Sequence, residues 1–465
     1  MPRSPRPHLP RVREALAVVL VSLVALPWVA ACRGAAGGGG EVSALAQPPL
    51  GLSRLPGVNV LVVSFDALRA DALGLYGNPR GTSPNLDRFA QSALVFENAF
   101  VAAPVTPTSF AAVFSGRHPH EVFLGWKFTA ADTLAGRFSE AGYRTAAFLN
   151  NVQLTAERGF DRGFQHYAVD AKQNHPDALI LEDAVGWLAR SGNRPFFAWV
   201  HFLDPHAPYE RRDLSVRFYD ASYEGGFAAT SGPVFDTEDP REIRRLRDLY
   251  EGEVYHADLL FGVLRNRLED LGLLEDTVVV VTADHGEEFR ERGVFQHRHL
   301  HDETLRVPLL IYHPGEREGR RIETLVSNLD LYPTLLAIAD LDAPSDLDGH
   351  DLLQPGTSEG KVVSLAMTDS EYRALSVRTA GWKLILECRP ETSIAVFDLE
   401  ADPGEVTNRV NDVRPEARRL LDLLRDEVGG APCHSLDLAV AGRQPTQGLA
   451  SETVEALRSL GYLDP

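Results

Sequence analysis

Four side chains, far apart along this sequence, have the residue types of a metal-assisted reaction on an ester. They are two carboxylates, an imidazole and a hydroxyl, each at or shortly after the end of a predicted strand: Asp66, Asp284, His285 and Thr106. Carboxylate and imidazole atoms bind divalent cations. Such a cation would lower the pKa of the hydroxyl and stabilise an ester oxyanion. The set predicts one divalent metal ion, Ca²⁺, Mg²⁺, Mn²⁺ or Zn²⁺, and the histidine argues against a cage of oxygen ligands alone.

Asp66 and Thr106 each have a structural alternative to a chemical role. A short helix is predicted after Asp66, and the carboxylate could cap it. Thr106 precedes a helix-forming run from Ser109. Its hydroxyl could be a plain N-cap, or it could lie at a helix N-terminus where developing negative charge is stabilised.

Buried strands are the elements that would position these residues. The run from Val58 to Asp66 is almost continuously apolar or β-branched, which is typical of a strand buried on both faces of a parallel sheet. Similar runs at 194–202, 277–282 and 306–312 alternate with amphipathic helices. This alternation predicts an α/β fold. Because open α/β sheets bind ligands at the carboxyl ends of their strands, we expect the four side chains to share one edge.

The sequence changes character after Lys361, where short strands with alternating polarity follow one another. This pattern predicts a small antiparallel subdomain at 360–430. A tail and a final helix are expected at 431–465, the helix itself at 452–460.

Histidines in two predicted loops could also reach the cleft. His206 stands between two prolines after the strand at 194–202, which holds it on a rigid loop. His297, His299 and His301 lie in a loop between two central strands. We expect at least one of these three to face the cleft, although exposure to solvent is an alternative.

The charge of the chain limits its partners. The 465 residues carry a net charge of −19, which argues against broad binding of nucleic acid, since that requires a basic face. An anionic substrate is still possible, because a metal ion or a few local His and Arg residues can invert the field of one cleft. No repeat of a solenoid or propeller period is present.

The N-terminus predicts export. Four arginines precede an almost wholly apolar segment, Ala15–Ala31, which is short for a membrane span and typical of a signal peptide at 1–31. The segment ends in V-A-A-C, which looks like the lipidation signal of bacterial lipoproteins, so Cys32 is predicted to carry acyl chains. A Gly-rich tether at 32–57 would follow. The chain would then be anchored by Cys32 to a bacterial membrane, in the periplasm or at the outer membrane; an ordinary secretory signal or an uncleaved anchor is the alternative.

Two further cysteines, Cys388 and Cys433, remain in the exported chain. An oxidising compartment could pair them. Two separated cysteines have no spacing signature, so a disulfide and two free thiols both stay open.

The order of motifs from Asn59 to Leu463 resembles the sulfatase family of the alkaline phosphatase superfamily. Eight segments in order carry the resemblance: N-V-L-V-V-S-F-D-A-L-R-A-D at 59–71, T-S-P-N-L-D at 82–87, H-F-L-D-P-H-A-P-Y at 201–209, T-A-D-H-G-E at 282–287, R-V-P-L-L-I at 306–311, D-L-Y-P-T-L-L at 330–336, K-L-I at 383–385 and F-D-L-E-A-D-P-G-E at 397–405. The resemblance implies an alkaline-phosphatase-like fold. A catalytic domain at 58–345 would contain a large mixed, mostly parallel sheet flanked by helices.

The resemblance also implies roles for individual residues. The implied metal ligands are Asp66, Asp284 and His285. Thr106, His206 and His297 are the predicted catalytic residues, with His206 on the transferred group and His297, or His299, in the place of a basic residue near the sulfate. The predicted substrate contacts are His206, His299 and Arg117.

The sequence departs from the family at the nucleophile. Family sulfatases have C-x-P-S-R, whose cysteine is oxidised to formylglycine. Here the aligned residues are T-P-T-S-F at 106–110, so formylglycine cannot form and Phe110 replaces the arginine. A downstream family histidine aligns with Val122, with His120 two residues early, and the His297 loop is one residue shorter than usual. A branch of the superfamily uses threonine directly, which gives Thr106 a chemical precedent.

The sequence thus predicts a metal-dependent, sulfatase-like hydrolase of sulfate or phosphate esters at the cell envelope, with Thr106 as nucleophile. The anionic substrate would be a sulfated or phosphorylated glycan, lipid or small molecule. One alternative is a catalytically degenerate lipoprotein that binds anionic glycans. Another is a phosphotransferase that depends on Thr106.

Overall fold

The computed structural model describes residues 50–440 except 171–175, 191, 210–211, 220–236, 317, 355–359 and 368–371. The predicted signal peptide, Cys32, nearly all of the tether and the helix at 452–460 lie outside the described residues. In the part that is described, no helix is both long enough and apolar enough to cross a membrane.

Strands and α-helices alternate through the first three quarters of the described chain. The strands are β1 (Asn59–Phe65), β2 (Leu94–Phe100), β3 (Phe123–Leu124), β4 (Lys127–Phe128), β5 (Arg144–Leu149), β6 (His166–Val169), β7 (Phe196–Phe202), β8 (Thr277–Ala283), β9 (Glu288–Phe289), β10 (Phe295–Gln296), β11 (Leu309–Tyr312), β12 (Arg320–Ser327), β13 (Lys361–Met367), β14 (Arg373–Thr379), β15 (Trp382–Arg389) and β16 (Ser393–Asp398). The helices are α1 (Pro84–Phe89), α2 (Thr106–Ser115), α3 (Pro119–Val122), α4 (Leu134–Glu140), α5 (Asp177–Leu188), α6 (Arg212–Ser215), α7 (Pro240–Asp270), α8 (Asp302–Leu305), α9 (Leu331–Ile338), α10 (Arg414–Glu427) and α11 (Pro432–Val440).

Eight strands form the main sheet in the order β12-β2-β11-β8-β1-β7-β5-β6. β1 pairs in parallel with both β7 and β8, and β5 continues the parallel set to β6. Only β11 runs against its neighbours in this sheet, pairing antiparallel with β8 and β2. The predicted fold class, a large mixed and mostly parallel sheet flanked by helices, is confirmed.

The central strands are buried on both faces, as their continuous apolar sequence requires. Alternate residues of β1 enter different hydrophobic clusters: Leu61, Val63 and Phe65 join one, and Val60 and Val62 join the other. Helix α7 covers the first face, and α2, α4 and α9 cover the second. The sheet is therefore a rigid central layer whose strand ends can hold side chains in fixed positions.

The predicted C-terminal subdomain is an antiparallel sheet of four strands in the order β13-β14-β15-β16. Its core packs against Leu420 and Leu424 of α10. Cys388 in β15 and Cys433 in α11 form a disulfide, which settles the pairing that the sequence left open.

Candidate active site and metal centre

The main sheet brings the predicted ligands to one edge. Phe65 at the end of β1 is in register with Ala283 at the end of β8, so the next residues, Asp66 and Asp284, leave the sheet side by side. His285 follows directly. All three side chains are fully buried.

Two carboxylate oxygens face one imidazole nitrogen in this group. Nε2 of His285 lies 3.6 Å from Oδ1 of Asp66 and 3.3 Å from Oδ2 of Asp284. One ligand atom from each residue lies within 4.8 Å of the other two. Among the described residues, no other three His, Cys, Asp or Glu side chains converge in this way.

The surrounding hydrogen bonds turn one oxygen of each carboxylate and Nε2 of His285 towards one another. Oδ1 of Asp284 accepts from the backbone N–H groups of Ala67 and His285 at 3.1 and 2.9 Å. Nδ1 of His285 lies 2.9 Å from the carbonyl oxygen of Gly286. A carbonyl can only accept, so Nδ1 carries the proton and Nε2 presents a lone pair. No donor in the described chain reaches Oδ1 of Asp66 or Oδ2 of Asp284. A divalent cation would satisfy all three atoms, and the residues fit one.

Burial also shifts the pKa values of Asp284 and His285. Burial, and then the neighbouring charge of Asp66, raises the pKa of Asp284 well above its usual range. Burial, and then the proximity of His297, lowers the pKa of His285 well below its usual range. Both shifts reflect the free-energy cost of burying charged side chains without a counter-charge at the centre of the group.

Thr106 is the first residue of α2 and does not cap it. The N-cap position belongs to Val105, and no side chain caps the helix, so the interpretation of Thr106 as a plain N-cap is wrong. Oγ1 of Thr106 instead lies 3.3 Å from Nε2 of His285. The hydroxyl is thus at the N-terminus of a buried helix, where the helix dipole stabilises negative charge.

Asp66 is not a helix cap either. The first helical turn after it, Ala70–Ala72, has Arg69 at its N-cap and no side-chain cap. Oδ2 of Asp66 accepts a hydrogen bond of 2.5 Å from Nδ2 of Asn151. Both structural alternatives are therefore excluded, and both side chains face the same buried site.

His206 and His297 complete a group of three imidazoles with His285. The ring centroids of His285 and His297 are 4.0 Å apart, and His206 is 5.3 Å from His297 and 6.5 Å from His285. Nδ1 of His206 lies 2.6 Å from the carbonyl oxygen of Ala207. Burial, and then His206, lowers the pKa of His297 well below its usual range. The structure brings both predicted histidines to the metal ligands.

His299 and Arg117 are placed elsewhere. Nδ1 of His299 lies 3.1 Å from Oε2 of Glu288, and its ring packs edge-on against Tyr372 in the C-terminal part of the chain. Arg117 follows the C-terminal end of α2 and pairs with Asp346. At about 1.5 Å per residue, α2 separates Arg117 from Thr106 by roughly 15 Å. The structure does not bring these two predicted substrate contacts to the metal ligands.

Two buried side chains of the site were missed in the sequence. Asn151 lies just past β5, and His201 lies near the end of β7, with its Nε2 3.5 Å from Oδ2 of Asp66. Their position at the carboxyl ends of two parallel strands was a usable signal. His201 also begins the H-F-L-D-P-H-A-P-Y segment, in which only His206 was singled out.

Phe110 fills the space next to these residues. Its ring centroid lies 4.6 Å from that of Trp199 and 4.9 Å from that of His201. The side chain is almost completely buried. At this position the site is apolar, whereas the aligned family residue would be a cation.

Comparison with known proteins identifies the family of the chain. The Sulfatase family model matches residues 58–341, well over half of the chain, and the model described as N-sulphoglucosamine sulphohydrolase, C-terminal, matches 290–428. The chain belongs to the sulfatase family. It is 24% identical over 459 residues to an arylsulfatase of Clostridium perfringens, covering 79% of this chain and 92% of that protein. It is 27% identical over 409 residues to an ulvan-active sulfatase of Formosa agariphila, covering 78% of each.

Solved sulfatase-like structures share the fold. A phosphonate monoester hydrolase of Agrobacterium radiobacter superposes with a TM-score of 0.70 at 20% identity, covering 80% of this chain and 96% of that one. A protein solved in complex with D-glucosamine-2-N,6-O-disulfate as its substrate gives a TM-score of 0.69 at 20% identity, covering 79% and 97%. At this identity the similarity establishes the fold of this sulfatase-family chain.

Proposed function

We propose that this sulfatase-family chain is a metal-dependent hydrolase of sulfate or phosphate esters in which Thr106 is the nucleophile. One observation carries the proposal: three oxygen atoms lie close to Nε2 of His285. They are Oγ1 of Thr106, Oδ1 of Asp66 and Oδ2 of Asp284. The side chains of Asp66, Asp284 and His285 would hold one divalent cation. When bound, the cation supplies positive charge that lowers the pKa of the hydroxyl and offsets charge on the ester oxygens.

The reaction would proceed in two steps, transfer of the sulfuryl or phosphoryl group to Thr106 and then its hydrolysis. Oγ1 of Thr106 forms a bond to sulfur or phosphorus while the bond to the bridging ester oxygen breaks, and the hydroxyl proton ends on the departing alcohol. Water then attacks the same sulfur or phosphorus, releases inorganic sulfate or phosphate and restores the Thr106 hydroxyl. His206 and His297 lie beside His285 and would contact the non-bridging oxygens of the ester.

Threonine changes which ester is favoured. A formylglycine hydrate has a second hydroxyl that can expel sulfate, whereas a threonine ester must be attacked by water or another acceptor. This difference favours phosphoryl over sulfuryl transfer, and the fold of a phosphonate monoester hydrolase is among those shared with this chain. If an alcohol replaced water in the second step, the same site would be a phosphotransferase.

The substrate class is proposed from the relatives. One is an N-acetylglucosamine-6-O-sulfatase of Bacteroides thetaiotaomicron, 24% identical over 75% of this chain. We infer an anionic ester, with sulfated or phosphorylated glycans first among the candidates. The alternative is a catalytically degenerate protein that binds glycans. Phe110, in place of the family arginine, favours this alternative, whereas the presence of Asp66, Asp284 and His285 opposes it.

We also propose that Cys32 is lipidated and anchors the protein to a bacterial envelope membrane. Labelling of cells that express the full chain with radioactive palmitate tests this idea: the wild type should incorporate the label and be recovered in membranes, whereas Cys32→Ser should incorporate none. Absence of label from the wild type, or equal labelling of the two proteins, would contradict the lipid anchor.

Activity is tested with sulfate monoesters, phosphate mono- and diesters and phosphonate monoesters, with and without added metal. The wild type should turn over at least one ester class, and a chelator and Thr106→Ala should each abolish turnover. Thr108→Ala is a matched control, because Thr108 is also buried in α2 but its hydroxyl donates to the carbonyl oxygen of Val105. Turnover by Thr106→Ala would exclude the nucleophile, and metal-bound protein with no turnover of any ester would favour the glycan-binding alternative.

A further inference from the structure

Trp199, Ser64 and His201 form a line of buried polar atoms behind Asp66. Nε1 of Trp199 lies 2.8 Å from Oγ of Ser64, Oγ of Ser64 lies 3.0 Å from Nδ1 of His201, and Nε2 of His201 lies 3.5 Å from Oδ2 of Asp66. The arrangement follows from strand geometry. Ser64 in β1 is in register with His201 in β7, and Trp199 lies two residues earlier on the same face of β7.

The groups at the two ends of this line favour one arrangement of protons. The indole N–H can only donate, so Oγ of Ser64 accepts from Trp199. At the other end, the carboxylate of Asp66 can only accept, which favours a proton on Nε2 of His201, because the opposite tautomer would direct a lone pair at a buried carboxylate. The hydroxyl of Ser64 then donates to Nδ1 of His201.

The two oxygens of Asp66 consequently have different environments. Oδ2 receives the hydrogen bond from Asn151 and faces the N–H of His201, whereas Oδ1 has no donor in the described chain and faces His285. The hydrogen bond from Asn151 and the contact of His201, 3.5 Å away, both lie on Oδ2 and restrict rotation of the carboxylate. It presents the other oxygen alone to the centre of the ligand group.

The apolar rings of Phe110 and Trp199 keep other hydrogen-bond acceptors away from His201. Both rings contact His201, at centroid distances of 4.9 and 6.0 Å, and all three side chains are essentially inaccessible to solvent. With apolar rings there, Asp66 is the acceptor that Nε2 of His201 faces. Phe110, the residue that departs from the family, thus has a function in this arrangement.

We propose that His201, oriented by Ser64 and Trp199, is a positioning residue that fixes the carboxylate of Asp66 for monodentate binding of the metal ion. Second-shell partners of this kind commonly change metal affinity by about 10–100-fold. The inference rests on the proposed metal centre, and its tests include two readouts that do not depend on turnover.

Metal affinity of the full chain is the first readout, with Mn²⁺, Zn²⁺, Ca²⁺ and Mg²⁺ each titrated alone by calorimetry. His201→Leu, which removes the donor, should weaken binding about 10–100-fold. His201→Gln, whose amide N–H can take the place of Nε2–H, should restore most of the affinity. His313→Leu is the matched control, because His313 is equally buried but its Nε2 lies 2.9 Å from the carbonyl oxygen of Ser53, away from the ligands.

The results separate the two proposals. Wild-type affinity in His201→Leu would overturn this inference and leave the metal centre intact, as would equal loss in His201→Leu and His313→Leu. No binding of any of the four ions by the wild type would overturn the metal centre and this inference with it.

The tautomer of His201 is the second readout, measured by nitrogen-15 NMR of histidine-labelled protein and assigned by loss of the signal in His201→Gln. A neutral ring protonated on Nε2 is expected, and Ser64→Ala should alter this signal. A ring protonated only on Nδ1 would overturn the proposed line of hydrogen bonds.

Discussion

Oγ1 of Thr106 lies 3.3 Å from Nε2 of His285, the same nitrogen that faces the free oxygens of Asp66 and Asp284. The hydroxyl of Thr106 and the predicted cation would therefore both interact with the lone pair on Nε2 of His285. Without a cation, Thr106 can donate its proton to that nitrogen. A cation held by His285 would instead bring positive charge close to the hydroxyl oxygen. Metal binding would then change the state of the proposed nucleophile.

Neutralising Asp284 should have opposite effects on stability and on metal binding. Its pKa is raised by burial and by Asp66, so its ionised form destabilises the metal-free fold. We expect Asp284→Asn to raise the melting temperature in the presence of a chelator and to abolish the further rise that metal gives the wild type. Thermal unfolding with and without metal measures both effects.

Asp66→Asn should be compared with Asp284→Asn in the same thermal unfolding experiment. Burial raises the pKa of Asp66, but His206, His201 and His285 outweigh burial and hold it below the usual range. The ionised form is thus the stabilised one. Asp66→Asn should lower the melting temperature of the metal-free protein, and a rise like that of Asp284→Asn would contradict the assignment of charge within the pair.

The contact of α10 with the catalytic domain should depend on acid pH. Burial raises the pKa of Glu427, but His118 and Lys361 outweigh it and lower the pKa to about 2. Its carboxylate lies 3.1 Å from Nε2 of His118 and 3.0 Å from Nζ of Lys361. A lowered pKa stabilises the fold above the unfolded-state value of 4.5, and this contribution is lost as the pH falls towards 2.

Glu427→Gln should therefore cost about 1.5–3 kcal/mol of unfolding free energy at neutral pH, the usual range for hydrogen bonds to a charged group. The difference from the wild type should shrink below the unfolded-state pKa. Denaturant unfolding across acid pH measures it, and a difference that grows on acidification would be inconsistent with the ion pairs described.

Lys383 should be essential to the junction between the two sheets. Its ammonium is completely buried and lies 2.8 Å from Oδ1 of Asp302 and 2.7 Å from Oε1 of Glu405. Removing one partner of a buried ion pair leaves uncompensated charge and costs about 3–5 kcal/mol. We expect Lys383→Met to lose that much stability in denaturant unfolding.

Lys127→Met is the control for that variant, because Lys127 is exposed. It should change the unfolding free energy by less than about 0.5 kcal/mol. If both variants were equally stable, the buried network would contribute little to the fold.

The central elements could be predicted because burial imposes a simple pattern on them. Strands β1, β7 and β8 have uninterrupted apolar sequences, and the ligands follow their ends. β12 was missed because it is an edge strand that begins with exposed charges, Arg320 and Arg321, and becomes buried only near Ser327. The predicted strand at 306–312 begins later, at Leu309, because Pro308 has no N–H to donate to the sheet and Arg306 forms only an isolated bridge with Phe100.

The convergence of Asp66, Asp284 and His285 was predictable, because all three follow the ends of buried strands. Their surroundings were less predictable. Asn151 and His201 face Asp66 only because of the strand order β1-β7-β5, which the periodicity of the sequence does not specify. Arg117 lies beyond the C-terminal end of the ten-residue helix α2, and the sequence alone does not show that this helix separates it from Thr106.

The role of Thr106 as nucleophile is tested most directly by acid quenching of the metal-loaded full chain during turnover of a sulfate or phosphate ester, followed by peptide mass analysis. We expect one sulfuryl or phosphoryl group on Thr106 of the wild type and on Thr106 of the Thr108→Ala control, and no modified peptide from Thr106→Ala. Turnover by the wild type with the group on another residue, or undiminished turnover by Thr106→Ala, would contradict the role of Thr106 as nucleophile.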